Sequence, residues 1–275
     1  MTTTSNNETE VTEVVTKPKV VRKPVKKEEP KPMKPEKQFV HFMVDVETLG
    51  VIPNKNPVLQ IAAVMFDPDT FEPIGDSPTF ECFLPLADQF KLGRTPDEGT
   101  VKWWSEAKKA EVAKVVFAGV KEAPPLKTQL FAFSDWISEK CKIENGYAES
   151  VFWAKPTLFD YPFIDGLFLE SGVPSPFHFR KVVDMSSYII SAFKNVHYAV
   201  NHHTMSHHQA YESYWASFEK VRDLEKEKDA DGERSNAHNA SADCIFQLDW
   251  LKEAIGNCTY YISEKGVQET LTRKD

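Results

Sequence analysis

The chain contains 275 residues, of which 41% are hydrophobic and 12% aromatic, so it is long enough for one large globular domain with a tail. Its formal charge of −8 argues against a protein that coats nucleic acid without specificity. No apolar run approaches the roughly 20 residues that span a bilayer, and the first residues, MTTTSNNETE, lack the order of a signal peptide. We therefore expect a cytoplasmic protein with no membrane partner and with its four cysteines reduced.

Residues 1–38 differ in composition from the rest of the chain. The segment 17–37 holds five prolines, eight lysines and one arginine against three glutamates, and it offers almost nothing to bury. Such a segment cannot offset its ordering entropy, so we predict a disordered, basic tail. The tail is either a solvated linker or a weak arm for a phosphate backbone or a partner. Residues 39–275 carry a formal charge of −11 and form the predicted domain.

The first part of this domain has the pattern of a β-meander. Three apolar, β-branched runs at 39–48, 57–67 and 79–86 predict strands, and turn-rich segments separate them. Short links between consecutive strands predict antiparallel pairing. Two later runs, at 151–154 and 181–185, predict single strands that lie between helices.

Helical patterns fill the rest of the domain. Thr95-Pro96-Asp97-Glu98 has the proline and acids of a first turn, so we predict one helix that continues through TVKWWSEAKKAEVAKVV. Further helices are predicted at about 125–141, 159–169, 211–229 and 239–255. Helical insertions are expected near 87–122 and 195–236. Strands and helices in this order predict a mixed α/β sheet with helices on both faces.

Asp45 and Glu47 lie two residues apart near the end of the first predicted strand. The alternation of a strand places both side chains on one face. Two carboxylates there are costly unless a cation compensates them, and Mg²⁺ and Mn²⁺ prefer oxygen ligands. The pair therefore indicates a metal site, and a strand that has emerged into solvent is the alternative explanation.

Two further motifs carry ionisable side chains. Asp160 follows the strand VFWA in the first turn of an apolar helix, where an acid could equally complement the helix dipole. His238 and Asp243 are five residues apart, which on one helix leaves them roughly 140° apart. They converge only if His238 lies in the loop before the helix and Asn239 caps that helix, which is the arrangement we predict.

The order of these motifs is Asp-x-Glu on a first strand, Phe-Asp at a strand-to-helix junction, and His-x4-Asp at a late helix. In this order the chain resembles the DEDDh (DnaQ-like, RNase T-like) 3′–5′ exonuclease superfamily over residues 39–256. More narrowly, DVETLG, QIAAVMFDP and TVKWWSE resemble the bacteriophage exonuclease A (DexA-like) and exonuclease VIII-type branch. The resemblance implies a ribonuclease H-like mixed β-sheet, with three antiparallel strands and then parallel strands. For a phage-encoded chain, it implies the cytoplasm of the host.

The resemblance also implies catalytic roles. Two Mg²⁺ or Mn²⁺ ions would be held by the four acids, which are Asp45, Glu47, Asp160 and Asp243. His238 would act as general base, and the product would be a nucleoside 5′-monophosphate. The implied partner is a nucleic acid 3′ end, with single-stranded DNA favoured and RNA possible. Oligomerisation is possible.

Several residues are candidates for contact with the terminal nucleotide. By resemblance, Thr48 and Leu49 contact it, and Phe159 and Asn239 flank the catalytic residues. Trp103 and Trp104 point about 100° apart on a helix. One of the two tryptophans is therefore expected to line the site and stack on a base, although both could belong to the core.

One segment departs from the superfamily pattern, and one lies outside it. Many relatives have Asn shortly before the second-motif aspartate, where this chain has Lys155-Pro156, so substrate contacts there stay open. The segment 201–208 carries His202, His203, His207 and His208, which could bind zinc. No Cys or carboxylate completes a site nearby, so we expect a solvated or substrate-adjacent loop. Asp184 is expected to cap the following helix.

The motifs leave alternative functions open. They do not separate an exodeoxyribonuclease from a 3′–5′ exoribonuclease or RNA-trimming enzyme, because the catalytic centre is the same and the 2′-hydroxyl decides. A catalytically inert nucleic-acid-binding module and a recombination exonuclease on duplex ends are further alternatives.

Overall fold

The computed structural model describes residues 38–144, 146–202, 204–228 and 237–258. Within these residues the chain forms seven strands: β1 (Phe39–Thr48), β2 (Val58–Phe66), β3 (Thr79–Phe83), β4 (Lys142–Ile143), β5 (Gly146–Tyr147), β6 (Glu149–Ala154) and β7 (Val182–Asp184). The same residues form eight α-helices: α1 (Leu86–Lys91), α2 (Glu98–Trp104), α3 (Ala110–Glu122), α4 (Leu126–Lys140), α5 (Thr157–Ser171), α6 (Met185–Asn201), α7 (His207–Lys228) and α8 (Ala240–Gly256). The predicted tail lies outside the described residues, apart from Gln38.

Five strands form one mixed sheet in the order β3-β2-β1-β6-β7. β1, β2 and β3 pair antiparallel, as their short links predicted. β6 and β7 continue the sheet parallel to β1, and α5 makes the crossover that parallel strands require. The predicted mixed α/β sheet, with antiparallel strands followed by parallel strands, is therefore confirmed. β4 and β5 form a separate hairpin that was not predicted.

Helices cover both faces of the sheet, so β2 is buried along its whole length. On one face, α6, α7 and α8 pack through a core that contains Met43 of β1 and Trp250 of α8. On the other face, α4 and α5 pack against Phe42 and Val44 of β1. Because alternate residues of a strand face opposite sides, Asp45 lies on the α8 side of the sheet. None of the described helices is long and apolar enough to cross a bilayer.

The segment between β3 and α4 differs from the prediction. Instead of one long helix, α2 ends at Trp104, a single 3-10 turn spans Ala107–Lys109, and α3 begins at Ala110. The indole Nε1–H of Trp104 donates to the carbonyl of Thr48 at 3.1 Å, so a tertiary hydrogen bond fixes the end of α2 against β1. α2 begins after Asp97, whose side chain caps it, rather than at Pro96. Tertiary contact therefore overrides local helix propensity here.

The other predicted elements lie within a few residues of their observed bounds. The third predicted strand is shorter than expected, because β3 ends at Phe83 and α1, the first helix of the insertion expected near 87–122, begins at Leu86. α6 is the helix that Asp184 was expected to cap, and its bounds were not predicted. Asp184 caps it, since its Oδ1 accepts the backbone N–H of Ser187 at 2.8 Å. The four cysteines are buried and form no disulfide.

Candidate active site

The first part of the site lies near the end of β1, between β2 and β6. Asp45 and Glu47 point to the same face of the sheet. On the neighbouring strand β2 they pair with Ala62 and Gln60, respectively. Glu47 is only 8% exposed. Gln247 of α8 donates its Nε2–H to Oδ1 of Asp45 at 2.8 Å, so the orientation of this carboxylate is held by a helix from the same face of the sheet.

Asp160 reaches the same place from the first turn of α5, directly after β6. Its Oδ1 accepts the backbone N–H of Val46 at 3.2 Å. The residue is 2% exposed, and among the described residues its Oδ2 has no hydrogen-bond partner. A buried acceptor in that state costs about 1–3 kcal/mol, and more when it is charged. This oxygen therefore fits a ligand to a cation.

His238 lies in a turn before α8, and the side chain of Asn239 caps the helix by accepting the N–H of Ala242 at 3.2 Å. This is the arrangement that the spacing of His238 and Asp243 predicted. His238 has a left-handed backbone with φ 68°, and its N–H donates to Oδ2 of Asp243 at 3.2 Å. One ligand atom each from Glu47, His238 and Asp243 lies within 4.8 Å of the other two.

Burial and mutual repulsion perturb the acids of this cluster. Burial raises the pKa of Asp45 well above its ordinary value, and the charges of Asp160, Asp243 and Glu47 raise it further. Burial raises the pKa of Asp160 to about 8. The cluster therefore holds its full negative charge only at a high cost unless a cation neutralises it. A donor set made of carboxylate oxygens fits hard divalent ions such as Mg²⁺ and Mn²⁺.

Lys155 brings a positive charge to the edge of this cluster. Its Nζ lies 4.6 Å from the centre of the Trp250 ring. Burial lowers the pKa of Lys155, and the negative charges of the nearby carboxylates, Asp45 first among them, oppose that shift. This is the position at which the sequence departed from the superfamily pattern.

A cavity of about 420 Å³ opens beside Glu47. Four of the predicted nucleotide contacts line it, namely Thr48, Trp103, Trp104 and Phe159. Leu49 and Asn239 are not part of its wall. The side chain of Leu49 is 3% exposed and packs in a small core beneath α2, while the side chain of Asn239 caps α8.

The two adjacent tryptophans both border the cavity and differ in burial. Trp104 is 3% exposed and packs, whereas Trp103 is partly exposed at the cavity. The ring centroid of Trp103 lies 4.7 Å from that of His238, with the planes at 81°. Nζ of Lys109 lies 3.7 Å from the centre of the Trp103 ring.

Two buried glutamines that the sequence analysis did not single out support the site. Gln60 of β2 accepts the N–H of Ala240 at 3.1 Å, so it ties the start of α8 to the sheet beside Glu47. Gln247 orients Asp45. In the sequence, each is a polar residue inside an apolar run, VLQIAAVMF and CIFQL, and that was the available signal.

The histidine-rich segment forms a separate feature. His207 and His208 are exposed at the start of α7, and Nε2 of His208 lies 3.9 Å from a carboxylate oxygen of Glu212. His203 lies outside the described residues. In the part of the chain that the structure describes, the only group of three or more potential metal ligands is the one at the candidate active site.

Comparison with known families adds a family assignment. The model of the 3′–5′ exoribonuclease Rv2179c-like domain matches residues 40–216, more than half of the chain. The chain belongs to the Rv2179c-like domain family. It is thereby a member of the DEDDh 3′–5′ exonuclease superfamily that its motifs resemble. The Rv2179c-like match includes the first two motifs and ends before His238 and Asp243.

Similar solved structures include exonuclease I of E. coli. Its zinc-bound complex with single-stranded DNA has 17% identity to the present chain and a TM-score of 0.49, and the match covers 82% of the present chain and 42% of the exonuclease I chain. Its complex with a dT13 oligonucleotide has 18% identity and a TM-score of 0.46, with 78% and 40% covered. The chain thus spans less than half the length of these proteins. The search of curated proteins found no match to the present chain.

Proposed function

We propose that this protein is a metal-dependent 3′–5′ exonuclease that hydrolyses phosphodiester bonds at nucleic acid 3′ ends and releases nucleoside 5′-monophosphates. The observation that carries the proposal is the convergence of four carboxylates and one imidazole beside a cavity of about 420 Å³. Residues 39–275 would form the exonuclease domain and residues 1–38 a basic tail, in a cytoplasmic protein. Membership of the bacteriophage exonuclease A branch is part of the proposal.

Two Mg²⁺ or Mn²⁺ ions would be held by the four acids, Asp45, Glu47, Asp160 and Asp243. The raised pKa values of Asp45 and Asp160 support this assignment, because a cation relieves the cost that raises them. Divalent ions held by these acids would supply positive charge to stabilise the attacking and leaving oxygens of an in-line displacement.

His238 would act as general base, since imidazole accepts and releases protons near neutral pH. Its ring would take a proton from the attacking water. The water oxygen bonds to phosphorus while the P–O3′ bond breaks. The 3′-oxygen stays on the shortened strand and takes up a proton from solvent to become the new 3′-hydroxyl, while His238 releases its proton to solvent. The terminal nucleotide would lie in the cavity between Thr48, Trp103 and Phe159.

The charge distribution is compatible with this reaction. A body with a formal charge of −11 over residues 39–275 repels a long phosphate backbone. An exonuclease holds only the last few nucleotides, and bound divalent ions create the phosphate-binding charge locally. The acidic body therefore agrees with an enzyme that acts at strand ends better than with a protein that coats nucleic acid.

Single-stranded DNA is the substrate that we propose first, from the resemblance to the bacteriophage exonuclease A branch. A 3′–5′ exoribonuclease is the second candidate, because the family that the chain matches is described by that activity. Both activities use the same catalytic centre. The decision depends on how the cavity accommodates the ribose 2′-hydroxyl.

One panel of substrates tests polarity, sugar preference and metal dependence together. Single- and double-stranded DNA and RNA, each labelled at either end, are incubated with Mg²⁺, Mn²⁺ or EDTA. We expect mononucleotides from the 3′ end, no reaction in EDTA, and the fastest release from single-stranded DNA. Faster release from RNA would select the exoribonuclease, and release from the 5′ end would refute the proposal.

Variants of the acids and of the base test the assigned roles. Asp45→Ala and Asp243→Ala should abolish the reaction, and the exposed Asp135→Ala of α4 should leave it unchanged. His238→Ala should lower the rate by roughly 10²–10⁴-fold, the usual contribution of a general base. Isothermal titration should find metal binding largely retained in that variant. Loss of metal affinity would contradict the role of His238 as base.

A further inference from the structure

Trp103 lies on α2, and its ring packs against the turn that carries His238. Its ring meets that of His238 nearly at right angles, with centroids 4.7 Å apart. A second right-angled contact joins it to Trp104, at 5.2 Å and 89°. The ammonium of Lys109 covers the ring at 3.7 Å, and Lys109 is only 7% exposed. Three neighbours therefore fix the ring of Trp103.

This arrangement is anchored to the strand that carries the first motif. Trp104 is 3% exposed and donates its indole N–H to the carbonyl of Thr48 at 3.1 Å. Thr48 directly follows Glu47. A continuous set of contacts therefore runs from β1 through Trp104 and Trp103 to His238.

His238 has an unusual backbone conformation, so contacts that hold its side chain in place matter. Its φ of 68° is a conformation that L-residues other than glycine adopt infrequently. The N–H of His238 donates to Oδ2 of Asp243 at 3.2 Å, and this hydrogen bond acts on the backbone rather than on the ring. The right-angled contact with Trp103 acts on the ring itself and restricts its rotation about the side-chain bonds, because edge-to-face packing is favourable in only a narrow range of orientations.

We propose that Trp103 is a positioning residue that holds the imidazole of His238 beside the carboxylates of Glu47 and Asp243. This inference rests on the proposed function, in which His238 is the base. Trp103 also lines the cavity, so the residue that orients the base borders the space for the terminal nucleotide. In this proposal, the helical insertion that carries Trp103 orients a histidine that lies on a turn more than 130 residues later in the sequence.

A spectroscopic measurement tests the contact without any activity. The chain has eight histidines, so protein labelled with ¹³C-histidine gives a small set of imidazole Cε1–H signals, and His238→Gln identifies the one from His238. We expect the ring current of Trp103 to move this signal away from those of exposed histidines in the metal-free protein. In Trp103→Ala the signal should move toward them, and in Trp103→Phe it should move only part of the way.

Kinetics test whether the contact matters for the reaction. Trp103→Ala should lower kcat by about 10²-fold, the cost of a misplacement of about 1 Å, while KM rises far less. Trp103→Phe should recover most of kcat, because phenylalanine retains an aromatic ring against His238. Trp215→Ala is the matched control, because Trp215 is 50% exposed on α7 and packs on Tyr214 and Phe218 instead.

The possible results separate this inference from the proposed function. If the His238 signal is unchanged in Trp103→Ala and only KM rises, Trp103 is a base-stacking platform and the inference is refuted. If Trp103→Ala does not fold, Trp103→Phe decides: an unshifted His238 signal with full loss of kcat overturns the inference. A protein with the expected signals but no nuclease activity refutes the proposed function instead.

Discussion

The substitution Asp160→Asn tests whether the carboxylate of Asp160 is present to bind a cation or to stabilise the fold. Asparagine retains the Oδ1 that accepts the N–H of Val46, and it removes the buried charge. The pKa of Asp160 is raised from 3.8 to about 8, because burial disfavours the charged form. At about 1.4 kcal/mol per pKa unit, this shift corresponds to about 6 kcal/mol. The buried amide of asparagine costs back up to about 3 kcal/mol, so we expect metal-free unfolding to require about 3 kcal/mol more at pH 8.5.

The pH dependence follows from the sign of this shift. A carboxyl group with a raised pKa binds its proton more tightly in the folded state than in the unfolded state. The stability of the metal-free protein therefore falls as the pH rises from about 4 to about 8, and the penalty is complete above that range. The advantage of Asp160→Asn should accordingly be large at pH 8.5 and small at pH 4.5.

Thermal unfolding in EDTA and in Mg²⁺ measures both effects. At about 2–4 °C per kcal/mol for a chain of this size, the variant should melt roughly 6–12 °C higher in EDTA at pH 8.5. Mg²⁺ should raise the melting temperature of the unaltered protein and have little effect on the variant, because a ligand stabilises only the state that binds it. Asp135→Asn, which is exposed on α4, is the control and should change neither value. A variant that melts lower than the unaltered protein in EDTA would refute the reasoning.

Two further variants test the supports of the site. Gln247→Leu removes the hydrogen bond to Asp45, so metal affinity or kcat should fall by roughly 10–100-fold. The loss should not add to that of Asp45→Asn in a double-mutant cycle, and additive losses would contradict the contact. Gly50→Ala should lower the melting temperature more than Gly93→Ala. Both glycines have positive φ, but of the two only Gly50 is placed so that an added Cβ would clash with another side chain, that of Asn56. Equal losses would contradict this account.

Much of the sheet could be predicted because its signals are local. The apolar runs of β1, β2 and β6 are bounded by turn residues, and short links leave antiparallel pairing as the simple solution. Asp184 and Asn239 are good helix caps in any context, and both cap helices in the structure. Such elements depend on a few neighbouring residues, which a sequence displays directly.

The break between α2 and α3 could not be predicted in this way. The sequence from Thr100 to Val116 favours a helix, but the helix stops at Trp104, whose indole bonds to the carbonyl of Thr48. The partner is 56 residues away along the chain. Local propensity carries no information about such a contact, and the contact outweighs the small preference of each residue for helix.

The candidate site shows the same division. The sequence is sufficient to single out Asp45 and Glu47, which share a face because strands alternate, and to place His238 before its helix because of the angle to Asp243. What surrounds these residues depends on the packing of the fold. Gln247 against Asp45 is a contact between residues that are 202 positions apart, and Trp103 against His238 likewise joins distant segments, so both depend on how helices pack across the sheet. Spacing constrains side chains on one element, whereas packing brings different elements together.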